Sequence, residues 1–455
     1  MAGWKPCILA LDRKKNPAVT MAVVVQQETN VADDRSGKHC IIGAGFTGLA
    51  MAQALKRHGI PYDQLEADDA IGGNWYHGVY ETVHIISSRK TTEYGDFPMP
   101  SDWPDFPSAQ QMLEYLNRYA DHFQLREHLS FNTEVTWIEP AAGDKWEVTL
   151  KSGEKRLYGG VLICNGHHWD CRYPSYPGAF TGEVMHSKQY KNPTILKGKR
   201  VLVVGAGNSG CDIAVEAARF GVASHISLRR GIWIMPQTIA GIPTVEFLQP
   251  WMRGWLQSVS MKLLLRIFVG KMSRYGLQEP DFPIFERHPT INSQLLYYLK
   301  HGRITPHRDV TRLEGNRVEF VDGETVEVDL LVYATGFNVS IPFLAPGVIE
   351  WKEGYPDTIQ GIFPQRHKNL YVVGIGQPRY GAGPLLTVGA EALAQSILVQ
   401  PKLKRPLGAV LKKLGRKPLE SYLMDPHEAM RNARKMARNA GRLPLMERWF
   451  FRNDS

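Results

Sequence analysis

The chain has little cysteine for its size. Its 455 residues include five (Cys7, Cys40, Cys164, Cys171 and Cys211), and none stands in a C-x-x-C spacing. That argues against a disulfide framework, a zinc site and a dithiol redox centre, and it fits a reducing compartment such as the cytoplasm. No run of about eighteen apolar residues occurs, which argues against a membrane-spanning helix. The apolar stretch in residues 1–10 is too short for a signal peptide, and Asp33-Asp34 do not suit a transit peptide, so residues 1–36 read as a flexible leader. Most of the chain also lacks an excess of either charge. Residues 401–455 hold fourteen Lys or Arg against five Asp or Glu, an excess equal to the whole net charge of +9. The basic character belongs to a C-terminal tail and leaves the body neutral. Without a nucleic-acid-binding signature, no nucleic acid partner is expected.

What the chain has is glycine, clustered twice. Val201-Leu202-Val203-Val204 reads as a buried parallel strand running into Gly205-Ala206-Gly207-Asn208-Ser209-Gly210, and an amphipathic segment follows. About 160 residues earlier, Ile41-Ile42 leads into Gly43-Ala44-Gly45-Phe46-Thr47-Gly48 in the same context. In a G-x-G-x-x-G turn the first glycine permits the tight turn. The second lets backbone N–H groups approach a pyrophosphate, and the third lets helix pack on strand. Two such turns imply two dinucleotides on one chain, and electrons passing between them.

Charge at the end of the next strand separates the two sites. Glu66 stands eighteen residues after Gly48 and can accept hydrogen bonds from ribose hydroxyls while repelling a 2′-phosphate. Arg229-Arg230 stand nineteen residues after Gly210, where a guanidinium pairs with a 2′-phosphate. The assignment is FAD at the first turn and NADPH at the second.

The rest of the chain reads as support for these units. A helix is expected over 108–128, a small antiparallel sheet over 131–150, and a buried strand at Val161-Leu162-Ile163. Residues 232–300 are rich in Trp, Leu, Pro and Phe and form a helical insertion, with helices over 251–275 and 291–300. It could cap a substrate cleft, lie on a membrane surface or be a plain packed subdomain. A hairpin is expected around Asp322-Gly323. A helix over 386–398 can direct its N-terminus at a bound ring. The tail reads as a solvated segment packed loosely on the body, or as a contact for anionic lipid or an acidic partner.

The glycine turns, Glu66, Gly72-Gly73-Asn74-Trp75 and Asp96-Phe97-Pro98-Met99-Pro100 together resemble the class B flavin-dependent monooxygenases. The most specific string is Phe180-x-Gly182-x-x-x-His186-x-x-x-Tyr190, and Ala334-Thr335-Gly336-Phe337 is similar to the family's linker between nucleotide domains. Ending in Tyr190 rather than tryptophan, the string is nearest to the flavin-containing monooxygenases. The resemblance implies an α/β fold of two Rossmann-like domains, the FAD domain (37–195 and 305–400) interrupted by an NADP domain (196–304). It implies FAD contacts at Gly73, Asn74, Trp75, Val135 and Gln377, with His186 as a hydrogen-bonding linker residue. Where that family carries a flavin-facing asparagine, this chain reads Ile85-Ile86-Ser87-Ser88-Arg89-Lys90, leaving Ser87 and Ser88 as the substitutes. The implied activity is NADPH- and O₂-dependent transfer of one oxygen atom to a small, hydrophobic substrate at nitrogen or sulfur, through a flavin C4a-(hydro)peroxide. Baeyer–Villiger or 2-oxo acid chemistry, or an NADPH oxidase without oxygen transfer, are the alternatives. A homodimer is a family-based expectation.

Overall fold

The computed structural model describes residues 32–419 and 421–452. Most of the expected leader lies outside them, but residues 33–36 do not belong to a leader. They open the first strand, β1 (Asp33–Ile42), which pairs in parallel with β2 (Tyr62–Leu65). The apolar run before Gly43 is buried on both faces, as a central parallel strand requires.

The first sheet has seven strands. The strand Lys155–Ile163 lies beside β1 and divides its far edge between two partners. Residues 155–158 pair antiparallel with Lys145–Leu150, whereas residues 161–163 pair in parallel with Leu370–Val372. This one strand therefore joins the small antiparallel sheet to the FAD-side Rossmann sheet. Helix α1 (Phe46–Arg57) follows the first glycine turn. Helix α2 (Ala109–His122) packs on the same core and is capped by Ser108, whose Oγ accepts from Gln111 N at 3.3 Å.

The second sheet is entirely parallel, in the order Thr305–His307, Ala223–Ser227, Arg200–Val204, Leu330–Tyr333, Glu183–His186. The expected boundaries at 196 and 304 cut through it. Three of its five strands lie outside those limits, because a central strand buried on both sides needs neighbours that only residues 183–186 and 330–333 supply. Helix α3 (Asn208–Phe220) follows the second glycine turn. The hairpin at Asp322-Gly323 is present, with Arg317–Phe320 antiparallel to Thr325–Glu327.

The insertion holds helix α4 (Gly254–Phe268) and the helix Gln294–Lys300. Helix α5 (Gly383–Val399) returns to the FAD-side core. The C-terminal segment packs into the core rather than loosely on the body. Leu403, Leu407, Val410, Leu411, Ala440 and Leu443 are buried in the same core as α1. At about 1.5–3 kcal/mol for each fully buried aliphatic side chain, this packing is a substantial part of the domain's stability.

Candidate functional site: two cavities with a common wall

Both glycine turns divide their labour in the same way. Gly43 has φ +102°, and a Cβ there would lie 2.7 Å from Cys164 O; Gly205 has φ +103°, with Ala334 O at 2.5 Å. A Cβ on Gly48 or Gly210 would meet the carbonyl of Gly43 or Gly205 at 2.0 or 2.1 Å, so helix lies directly on strand. The middle glycines are the accessible ones. Gly207 has nothing within 4 Å, and Gly45 meets only Gly73 Cα at 3.6 Å and Gly73 N at 3.9 Å. Neither α1 nor α3 has a side-chain N-cap, which leaves first-turn N–H groups available to a phosphate.

The first cavity, about 730 Å³, is lined by Gly43, Gly45, Phe46, Thr47, Glu66, Gly73, Asn74, Trp75 and Val135, among others. Glu66 is buried and fixed: Oε2 accepts from Ala44 N at 2.5 Å and Oε1 from Asp68 N at 3.0 Å. Burial raises its pKa, against which these two N–H donors act. A carboxylate held beside the turn, with glycine backbone around it, fits the adenosine ribose and pyrophosphate of FAD. Gly48 packs helix on strand and does not line the cavity.

The second cavity, about 600 Å³, is lined by Gly207, Asn208, Ser209 and Gly210 on one side and by Gln377 on another. Gln377, expected at the FAD, stands here, with Nε2 3.2 Å from His167 Nε2. Asn208 also holds the insertion in place, because its Oδ1 accepts from Ile291 N at 2.8 Å. Gly205 lies behind the turn. Arg229 and Arg230 are exposed after the strand Ala223–Ser227 and line neither cavity. Neither has an ion-pair partner among the described residues, which leaves both guanidinium groups open to a phosphate.

Phe46, Thr47, Asn74, His167, His168 and Lys188 line both cavities. Lys188 donates from Nζ to Asn74 Oδ1 at 2.7 Å and to His168 O at 3.1 Å, and burial lowers its pKa. His167 is held neutral by burial. Burial and the neighbouring His167, His288 and Lys188 push His168 down to about 3. Lys188 is thus the cation of the shared wall. Sequence reasoning missed it because it falls at an undefined position of the Phe180–Tyr190 string. His167 and His168 carried a signal that went unused: they follow the carboxyl end of a parallel strand, where ligands bind in open α/β sheets.

His186 is fully buried at the end of its strand. Nδ1 accepts from Lys188 N at 3.1 Å, which leaves Nε2 to donate to Gly336 O at 3.0 Å. It ties the Phe180–Tyr190 string to the 334–337 linker and does not line either cavity, so it orients Lys188 rather than touching a ligand. Tyr190 is buried, with its hydroxyl on Glu216. Tyr80, from the FAD side, donates to Asp212 Oδ2 at 2.6 Å in the first turns of α3. Asn292 donates to Oδ1 at 2.7 Å, and burial raises Asp212 to about 6.

Ser87 and Ser88 do not take up the place expected for them. Ser87 Oγ lies 2.6 Å from Thr92 Oγ1, and Ser88 caps the turn Arg89–Thr92 with its Oγ 3.3 Å from Thr91 Oγ1. Both are buried and neither lines either of these two cavities. The neighbouring Ile86 faces the second one. The threonine side chains of this turn hold both hydroxyls, Thr92 that of Ser87 and Thr91 that of Ser88 at the N-cap position.

A family model described as FMO-like, flavin-binding monooxygenase-like, matches residues 36–397. The chain is 31% identical over 385 residues to dimethylaniline monooxygenase [N-oxide-forming] 2 of Oryctolagus cuniculus, with 78% of this chain and 72% of that protein covered. S-allyl-L-cysteine S-oxygenase from Allium sativum aligns with a TM-score of 0.63 at 20% identity, covering 91% of this chain and 92% of that one. OTEMO, solved in complex with FAD and NADP, aligns with a TM-score of 0.68 at 19% identity, covering 88% and 98%. These two structures share the fold.

Proposed function

The chain belongs to the flavin-binding monooxygenase-like family and is an FAD- and NADPH-dependent oxidoreductase; on that premise we propose that it transfers one oxygen atom of O₂ to nitrogen or sulfur in a small hydrophobic compound. The observation that carries the reading is the common wall. Two cavities, each beside its own glycine turn, share Phe46, Thr47, Asn74 and Lys188, so two bound dinucleotides lie against one another there.

When bound, the flavin supplies hydride acceptance and the chemistry with O₂. This chain's residues do the rest. Glu66 receives the ribose hydroxyls of FAD, the N–H groups after Gly45 and Gly207 meet the pyrophosphates, and Arg229 or Arg230 meets the 2′-phosphate of NADPH. Lys188 places one positive charge where the nucleotides meet, while His167 and His168, neutral through burial, add none. Val79, Val83, Ile86, Leu385 and Leu386 give the second cavity an apolar side that excludes water and suits an apolar substrate. The N-terminal turn of α5 brings its positive end to the same place.

No helix of the described residues is long and apolar enough to cross a membrane. We place the protein in the cytoplasm with a peripheral contact to a membrane.

The test is oxygen transfer by the FAD-loaded chain, supplied with NADPH, O₂ and a tertiary amine or thioether. N-oxide or sulfoxide formed in step with NADPH consumption is the expected result. Hydrogen peroxide as the sole product would overturn the reading in favour of an oxidase. Ester or lactone from a ketone, with no amine or thioether product, would move it to the Baeyer–Villiger reaction.

A further inference from the structure

One wall of the second cavity belongs to neither glycine turn. Gly376, Gln377 and Pro378 form it, between the strand Leu370–Val372 and helix α5. The C-terminal tail holds this wall from behind. Gln377 and Pro378 pair in parallel with Leu423 and Met424. Gln377 N donates to Tyr422 O at 2.6 Å, and Arg379 N donates to Met424 O at 3.0 Å. A Cβ on Gly376 would collide with Met424 Cε, so the thioether end lies directly on that residue. An unbranched methionine fills such a gap closely. Tyr422 and Met424 themselves line neither cavity. They also lie beyond residue 397, where the match to the family model ends.

The tail is itself fastened on both sides of this pairing. Before it, the Tyr422 ring stacks on Tyr355 with centroids 3.9 Å apart, and its hydroxyl donates to Pro356 O at 2.8 Å. After it, Asp425 opens helix α6 (Pro426–Asn439), its Oδ1 accepting from His427 N at 2.9 Å and Glu428 N at 3.1 Å. Its Oδ2 lies 3.6 Å from Arg379 Nη1, and the Arg379 guanidinium sits over the Phe285 ring at 5.2 Å. Helix α6 then grips the insertion: His427 Nε2 donates to Leu248 O at 3.0 Å and Arg431 Nη1 to Pro250 O at 3.1 Å. Residues 422–431 therefore join the FAD-side segment 355–356, the cavity wall and the insertion. Through Gln377 the connection continues to the common wall, because Gln377 Nε2 lies 3.2 Å from His167 Nε2.

We propose that the tail segment 422–425 determines which oxygen acceptors the second cavity admits: its backbone fixes Gln377 and Pro378, and the Met424 side chain sets the width of the cavity at Gly376. Tyr422 and Met424 are positioning residues that act through this wall. The proposal rests on the reading of the second cavity as the place of the apolar acceptor. Its physical basis is that a wall of three residues, one of them without a side chain, takes its position from whatever packs behind it. One methylene more or less in an apolar pocket changes binding by a factor of ten or more. A thioether lying on a glycine of that wall is therefore placed to discriminate by size.

The experiment titrates the FAD-loaded full chain, oxidised and with NADP⁺ present, with methyl phenyl sulfide and with the bulkier methyl naphthyl sulfide. Binding is followed by the flavin absorbance, so no turnover is needed. Met424→Ala should move the ratio of the two dissociation constants at least about fivefold towards the bulkier compound, with NADP⁺ binding unchanged. Gly376→Ala, whose Cβ meets the thioether, should move the ratio the other way. The double variant G376A/M424A should return it to within about twofold of wild type, because the new methyl occupies the space that the thioether leaves. A ratio equal in wild type and both single variants would overturn the proposal. So would losses for both compounds that follow the melting temperature and are not rescued in the double variant, and so would a wild-type protein that binds neither compound. Sulfoxide is measured in parallel with NADPH and O₂. Size discrimination without sulfoxide would sink oxygen transfer and leave the tail's role standing, whereas sulfoxide with an unaltered ratio would sink the tail's role alone.

Discussion

Lys188 Nζ lies 2.7 Å from Asn74 Oδ1, and this contact joins two parts of the chain separated by 114 positions. Asn74 belongs to the glycine loop over the first cavity. Lys188 belongs to the string that enters the second sheet, where His186 Nδ1 receives its backbone N–H. Both line both cavities, so the two cavities are mechanically and electrostatically joined at this pair.

Lys188→Met should slow flavin reduction by NADPH roughly tenfold or more, the scale of a charge-assisted hydrogen bond. It should also lower the midpoint potential of the bound flavin, because a nearby cation favours the electron-rich reduced ring. Lys188→Arg should recover part of both. An unchanged potential together with an unchanged dissociation constant for NADP⁺ would remove Lys188 from the site.

The three glycines of the second turn should respond differently to alanine. Gly210→Ala forces a Cβ to within 2.1 Å of Gly205 O and should cost more than about 4 kcal/mol or prevent folding. Gly207→Ala meets nothing within 4 Å and should leave the melting temperature close to wild type while weakening NADP⁺ binding. Equal destabilisation by both would contradict the division of roles.

Arg229→Ala should weaken NADPH binding by roughly tenfold to a hundredfold, the worth of a charged hydrogen bond to phosphate, and leave NADH binding unaffected. The comparison to make is the pair of dissociation constants. Equal losses for both would place the 2′-phosphate elsewhere, with Arg230 the next residue to test.

Asp212 gives a pH dependence with a definite sign. Its carboxyl is raised from 3.8 to about 6 by burial, so between those values the folded protein holds a proton that the unfolded chain has lost. Its contribution to stability is full below pH 3.8 and falls as pH rises towards about 6. Asp212→Asn should flatten that part of the melting-temperature profile. A profile with the same slope in both proteins would show that the group titrates normally.

Much of this arrangement is legible in one dimension because it is local. A glycine turn needs a strand before it and a helix after it within about 30 residues. The sequence therefore located both turns and the acid at Glu66, which lines the first cavity, whereas Arg229 and Arg230 line neither cavity. The electrostatic contrast between Glu66 and Arg229 also needs no fold to be read, since it follows from position relative to a turn.

Other features required the folded chain, because they depend on which distant segments compete for the same space. Ser87 and Ser88 stand where a ligand-facing side chain is expected, yet the turn Arg89–Thr92 uses their hydroxyls and Ile86 faces the cavity. The limits of the second domain follow strand pairing, and residues 183–186 and 330–333 join it only because a central parallel strand must be covered on both edges. The basic tail contains enough Leu, Val and Ala to pack on the first core, which its net charge conceals. The amino-acid order by itself determined two glycine turns, each between a buried strand and a helix, through local backbone geometry and fixed spacing. The tertiary structure alone decided that the two sites share a wall, and that Lys188 is its cation, because burial and contact between segments far apart in sequence leave no periodic mark on either one.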